Sequence, residues 1–275
     1  MLKQRIFTAL AMVAVLLVLL LTLSPLWFSL VIMLLVVVAG WEWTNLIKVD
    51  SSSGKAGYLV ALLAVLLTTG YWLGLFGAFD FGLAQSISYW AVGLWAVIFL
   101  WVQGYPSSAI LWSPKLVLIA LGILLLTFTW VAVATILHAE QGRWLLLLAI
   151  VVVALVDIGG YLAGRLFGKH KLAPVVSPGK TWEGFAGGIF LELVLIATLL
   201  WLNLGQTLSA LLILIIPVAL YSVLGDLFES MIKRHSGVKD SSQLLPGHGG
   251  VLDRIDGFMA ALPLFSLLLI QTSPF

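Results

Sequence analysis

Apolar residues fall along this 275-residue chain in long unbroken runs, and polar residues are confined to the gaps between them. A run of about 20 apolar residues is what a helix needs to cross a ~30 Å hydrocarbon core. The pattern predicts about nine such spans, over roughly 6–23, 26–46, 57–77, 87–103, 116–137, 144–166, 183–203, 208–232 and 251–270. Runs such as VLLVLLLTL and LVLIALGILLLTF do not alternate polar and apolar positions, which excludes a transmembrane β-barrel. The expected fold is therefore all-α, a polytopic integral membrane protein. Ser24 and Pro25 predict a tight hairpin between the first two spans, and the gaps at 78–80, 106–108 and 138–140 carry turn formers. The first span follows a short basic stretch, but 24–27 lack a small-x-small cleavage pattern, so it is expected as a retained helix.

Composition supports this reading and narrows the function. The chain is 62% hydrophobic and 9% charged. A net charge of +2 with no basic tail gives no reason to expect nucleic acid as a partner, and the absence of cysteine excludes disulfides and thiolate chemistry. Lysine and arginine are distributed unevenly across the predicted membrane. With the N-terminus in the cytoplasm, the inner connections hold Lys3, Arg5, Lys48, Lys55, Lys115, Lys169, Lys171, Lys180, Lys233, Arg234 and Lys239, and the outer ones only Arg143. The twelve tryptophans cluster mostly near predicted span ends, as an interfacial belt would. Sixteen of the 26 charged residues lie between Asp157 and Asp256. Residues 1–140 thus read as scaffold and 141–275 as the working part of one continuous membrane domain.

Three polar segments carry the candidate chemistry. In DIGGYLAGR, Asp157, Tyr161 and Gly164 share a helix face, and Gly168, Lys169, His170 and Lys171 follow. A structural pair between Asp157 and Arg165 would explain part of this segment. In SPGKTWEG, Ser177 and Pro178 are expected to begin a helix, with Lys180 and exposed amides facing an anion. Gly179, Lys180 and Thr181 resemble the end of a P-loop, but Pro174 stands where that motif needs glycine. The third segment joins two helix ends. Asp226, Glu229 and Lys233 form a stripe on one helix, and Asp253 and Asp256 stack a turn apart on the next. Between them stand Arg234, Lys239, Asp240 and the turn PGHGG, with Arg254 close behind. Carboxylate oxygens suit Mg²⁺, cations suit phosphate, and glycine amides can point at an anion. A network of helix-end ion pairs needs neither the glycines nor so many cations. Metal-assisted chemistry on a polyphosphate is the better reading.

These residues also resemble a known family. Ser230, Lys233, Arg234, Lys239, Asp240, LPGHGG (245–250), Asp253, Arg254 and Asp256 look like the signature of the phosphatidate cytidylyltransferases, the CDP-diacylglycerol synthases. The segments around Asp157, Tyr161, Lys169, Lys171, Ser177, Lys180 and Asp226 resemble that family's other polar segments, and the Trp41–Trp43 stretch resembles its bacterial members. The resemblance implies transfer of the cytidylyl group of CTP to phosphatidate, with release of pyrophosphate. It implies Mg²⁺, a second monovalent cation such as K⁺, and a homodimer in the bacterial inner membrane. It assigns Asp226, Asp253 and Asp256 to the metal, with Asp157 beside them. Lys180, Lys233, Arg234, Lys239 and Arg254 would neutralise phosphates, and the turn of His248, Gly249 and Gly250 would line the nucleotide. A lipid or polyprenol kinase is the nearest rival. A transporter would place its charges nearer the bilayer midplane and show paired halves, whereas these charges crowd one end.

Overall fold

The computed structural model describes residues 2–203, 205–245, 247 and 249–272, without the side chains of 2–7 and 9. Among the described residues, nine long helices account for the predicted spans: α1 (Leu2–Thr22), α2 (Pro25–Leu46), α3 (Ser52–Trp72), α4 (Phe81–Gly104), α6 (Lys115–His138), α7 (Gly142–Phe167), α8 (Trp182–Trp201), α9 (Leu208–Ser236) and α10 (Leu252–Thr272). A single turn of helix, α5 (Ala109–Trp112), lies between α4 and α6. Among the described residues, eight helices are long and apolar enough to cross a membrane, and α1 adds the shorter apolar stretch Leu10–Thr22. The chain is an all-α, polytopic membrane protein.

Several boundaries differ from those predicted, and local capping explains the shifts. Ser51 accepts from the Gly54 amide and starts α3 five residues early. Asp80 likewise starts α4 six residues early by accepting from the Leu83 amide. A larger correction concerns Ser177 and Pro178. They do not begin a helix but lie in strand β2 (Ser177–Thr181), which pairs antiparallel with β1 (Lys171–Ala173). The cap of α8 is Thr181, whose hydroxyl accepts from the Gly184 amide at 3.1 Å. The all-α fold therefore carries a small hairpin, and that hairpin is where Lys180 sits.

Helix α6 forms the axis of the bundle, with every side chain from Trp130 to Leu137 buried. Trp43 and Trp95 are buried as well, so these indoles do not join an interfacial belt. Each of the three donates its indole N–H to a carbonyl on another helix: Trp43 to Leu118, Trp95 to Met259 and Trp130 to Ser29, at 2.8–3.0 Å. A buried indole needs such an acceptor. Glycine permits the closest helix approaches. A Cβ at Gly187 would collide with Ala163 of α7, and one at Gly225 of α9 would run into the Asp256 carbonyl of α10. The α7–α8 and α9–α10 pairs thus meet backbone to backbone, and they bring the polar segments to one end of the bundle.

One buried acid falls outside that end. Glu192 lies midway along α8, fully buried, and neither of its oxygens has a hydrogen-bond partner among the described residues. Leucine at this position should stabilise the fold by roughly 1–3 kcal/mol, because a buried polar group without a partner costs about that much. A higher melting temperature of the detergent-purified Glu192→Leu protein is the expected result; a lower one would show that the carboxyl is satisfied.

Candidate active site

The hairpin lies over the ends of α7, α8 and α9 and closes a cavity of about 250 Å³. Asp157 and Tyr161 of α7, Lys180 of β2, Phe185 of α8 and Asp226 of α9 line it. Lys180 reaches across from the hairpin, and its Nζ lies 2.6 Å from Asp226 Oδ2. Ser230, one turn along α9, donates to the other Asp226 oxygen at 3.2 Å. Asp157 is close enough to interact electrostatically with Lys180, Asp226 and Arg254, and Asp256 with Asp226. Three predicted carboxylates, from α7, α9 and α10, are therefore linked electrostatically through Asp226, with Lys180 beside two of them.

Lys233 occupies a different position. It is largely buried and bridges Glu229 of its own helix at 2.5 Å and Asp253 of α10 at 2.8 Å. Asp253 is engaged further: it accepts from the Gly250 amide (2.7 Å), the Ser241 amide (3.0 Å) and the Ser241 hydroxyl (2.9 Å). Four protein donors thus hold Asp253, against two on Asp226, from Lys180 and Ser230, while Asp256 accepts from the Gly257 amide. The glycines of the turn are required by this packing. Gly249 has φ +82°, and a Cβ there would press on Asp253; one at Gly250 would collide with Ser241 Oγ and the Glu42 carboxylate. Since the Gly250 amide binds Asp253, it does not face an open anion site as the sequence led us to expect.

The remaining predicted residues lie around this core. Arg234 Nε donates to the Val176 carbonyl in the hairpin turn at 3.4 Å. Tyr161 OH accepts from Arg165 at 3.1 Å. Ser177 pairs with Ala173 through the hairpin ladder. The side chains of Lys169, Lys171, Lys239 and Asp240 are exposed and form no ion pair among the described residues. His248 lies outside the described residues.

Sequence reasoning left two acids out of the site. Glu183 accepts from the amides of Lys169 and His170 and from the His170 ring, which fixes the turn leading into the hairpin. Glu42, in the half read as scaffold, is buried at the end of α2 and accepts three donors, the Ser242 hydroxyl (2.6 Å) and the amides of Val251 (2.9 Å) and Leu252 (2.6 Å), with the Ser241 hydroxyl oxygen 3.3 Å away. The signal was present in the sequence: an acid flanked by Trp41 and Trp43 at a span end must be paired if it is buried.

The donor set suits a hard cation. It offers carboxylate oxygens without thiolates, and Mg²⁺ selects such oxygens. Among the described residues, no three histidine or acidic side chains converge closely enough to hold an ion alone. An ion here would complete its sphere with phosphate oxygens and water, as Mg²⁺ commonly does in nucleotide enzymes.

Comparison with known proteins agrees with this geometry. The profile of the Cytidylyltransferase family matches residues 3–271. A phosphatidate cytidylyltransferase of Haemophilus influenzae is 39% identical, covering 97% of this chain and 98% of its own. One from Pseudomonas aeruginosa is 40% identical, covering 98% and 97%. One from Staphylococcus epidermidis is 51% identical over a shorter stretch, 48% of this chain and 52% of its own. The chain belongs to the cytidylyltransferase family and is a nucleotidyltransferase.

The two lysines should respond differently to removal. Lys233→Met leaves two largely buried carboxylates unpaired and should cost about 3–5 kcal/mol. The Lys180–Asp226 pair is partly exposed (23% and 32%), so Lys180→Ala should change stability by less than ~1 kcal/mol. Thermal unfolding in detergent checks both, and equal losses would remove the distinction.

Proposed function

We propose that this member of the cytidylyltransferase family transfers the cytidylyl group of CTP to phosphatidate, forming CDP-diacylglycerol and pyrophosphate. The observation that carries the reading is the Lys180–Asp226 pair across a cavity bounded by membrane helices, with two further carboxylates in electrostatic reach. The full-length relatives named for this reaction support it. In the reaction a phosphatidate phosphate oxygen bonds to the α-phosphorus of CTP. The bond from that phosphorus to the bridging oxygen breaks, and pyrophosphate leaves with the electron pair.

The attacking oxygen is already an anion near neutral pH, so the protein needs no strong base. Its task is to hold two anions together and offset their repulsion. Lys180 would exchange its contact with Asp226 for a phosphate oxygen. Arg254, exposed and in electrostatic reach of Asp157, and the exposed Lys239 would neutralise further phosphate charge. Asp226 and Asp256, with Asp157 beside them, would hold Mg²⁺, whereas Asp253 acts through Lys233 and the loop. The ion would supply charge neutralisation at the phosphates. The K⁺ that the resemblance implies would belong to the same acidic neighbourhood. By the same resemblance the working unit is a homodimer.

We place the protein in a bacterial inner membrane with its N-terminus and active site on the cytoplasmic side. The distribution of lysine and arginine supports this orientation. CTP would then enter from the cytosol, and the lipid from the bilayer beside α7.

Purified protein supplied with CTP, phosphatidate and Mg²⁺ should release pyrophosphate and form a CDP-lipid, and EDTA should stop it. Lys180→Ala and Asp226→Asn should each lower kcat/KM at least tenfold, about 1.4 kcal/mol of transition-state stabilisation. A phosphorylated lipid without CDP-lipid would make the protein a kinase instead. Topology has its own test, because the chain lacks native cysteine. Cysteine in place of Val238 should react with an impermeant maleimide only after the cells are opened. One in place of Glu140 should react while the inner membrane is intact. The reverse pattern would turn the site away from CTP and overturn the reading.

A further inference from the structure

We infer that Glu42 is a positioning residue for catalysis: it fixes the loop that carries Ser241 and the start of α10 onto α2, and through them sets Asp253 and Lys233. The inference rests on the function proposed above and extends it to the half of the chain that the sequence marks only as scaffold.

The geometry joins sequence positions about two hundred residues apart. Oε1 of Glu42 accepts from Ser242 Oγ and the Val251 amide, and Oε2 from the Leu252 amide. The first amides of a helix have no partner within it, so a carboxylate placed there satisfies them and favours the positive end of the helix. Glu42 therefore serves α10 as an N-terminal cap supplied from another helix. Ser241 makes the second link. Its hydroxyl lies 2.9 Å from Asp253 Oδ2 and 3.3 Å from Glu42 Oε2, so it stands between the two carboxylates. Its single proton serves the shorter contact. From Asp253 the chain of contacts continues to Lys233 and then Glu229.

Three features separate this arrangement from ordinary helix capping. The carboxylate is fully buried, with no ion-pair partner among the described residues, and three neutral donors serve it. All three lie in the loop that joins α9 to α10 or at the first residue of α10. Gly250 lies directly against it, where even a Cβ would collide. A small displacement of Glu42 would therefore move the Gly250 amide and Ser241, two of the three residues that orient Asp253. Glu42 itself lines no part of the cavity.

Glutamine at position 42 keeps the size but offers one acceptor oxygen where the loop presents donors to both, so an N–H of the amide would face an N–H or O–H. Aspartate keeps the charge but falls one methylene short. Two readings decide the matter: steady-state kinetics with CTP and phosphatidate, and amide exchange of the peptide containing Val251 and Leu252. Glu42→Gln should lower kcat at least tenfold, change the KM for CTP less than threefold, and speed that exchange at least tenfold. Ser242→Ala removes one donor, and should give smaller changes of the same kind even if Glu42→Gln does not fold. Wild-type kcat in both variants overturns the inference, whether or not exchange has changed. Loss of kcat with unchanged exchange overturns it as well, because the effect would not pass through the loop. Wild-type protein that forms no CDP-lipid overturns the proposed function instead, a result separate from all of these.

Discussion

Lys233 is where the helix pair, the loop and the charge of the site come together. Its ammonium lies between Glu229 and Asp253, and the second of these is in turn held by Ser241 and Gly250. In a bundle surrounded by lipid, no solvent stands ready to replace a lost partner, so each carboxylate must be matched from within. That constraint fixes α9 against α10 at one level, because Lys233 can serve both acids only when the two helix ends are in register. Gly225 allows the approach by leaving the Asp256 carbonyl unobstructed. Close helix packing and charge pairing therefore specify the same arrangement.

The spans were legible because the bilayer imposes a length on them. A stretch such as 116–137 can be little other than a membrane helix, and it appears as α6. The boundaries were less legible where one side chain decides them. Ser51 and Asp80 start their helices early by accepting a single amide, and such a contact has no signature in hydropathy. Ser177 and Pro178 misled for a related reason. Both are common at helix starts, yet the pairing of Ser177 with Ala173 across a short turn competes with that outcome and prevails.

The candidate site was legible as a set of residues and not as a set of roles. Asp253 and Asp226 are both aspartates near helix ends, and the sequence gives no means of ranking them. The structure separates them by their partners. Asp253 is surrounded by protein donors, and Asp226 faces a cavity with one lysine across it. Glu42 was harder to assign, because its partners lie about two hundred positions away and two of its donors are backbone amides that any residue would provide. What could be read was the cost of burying an acid at 42, which implies a partner without naming it.

A site that joins two polyanions faces conflicting demands, and the cations here divide between them. A lysine that must receive a phosphate has to leave its resting partner easily; one that holds helices together must not. Lys180 stands on a two-stranded hairpin in a partly exposed pair, where water weakens the attraction and an incoming phosphate can compete. Lys233 stands inside α9 between two acids, one of them fully buried, where separation would leave charge uncompensated. If Lys180 is the cation that receives phosphate, as proposed, its place on the hairpin and that of Lys233 in the helix would let the site admit charge without loosening the bundle that supports it. The membrane reinforces the division, since a helix anchored across the bilayer resists movement far more than a short hairpin at its edge.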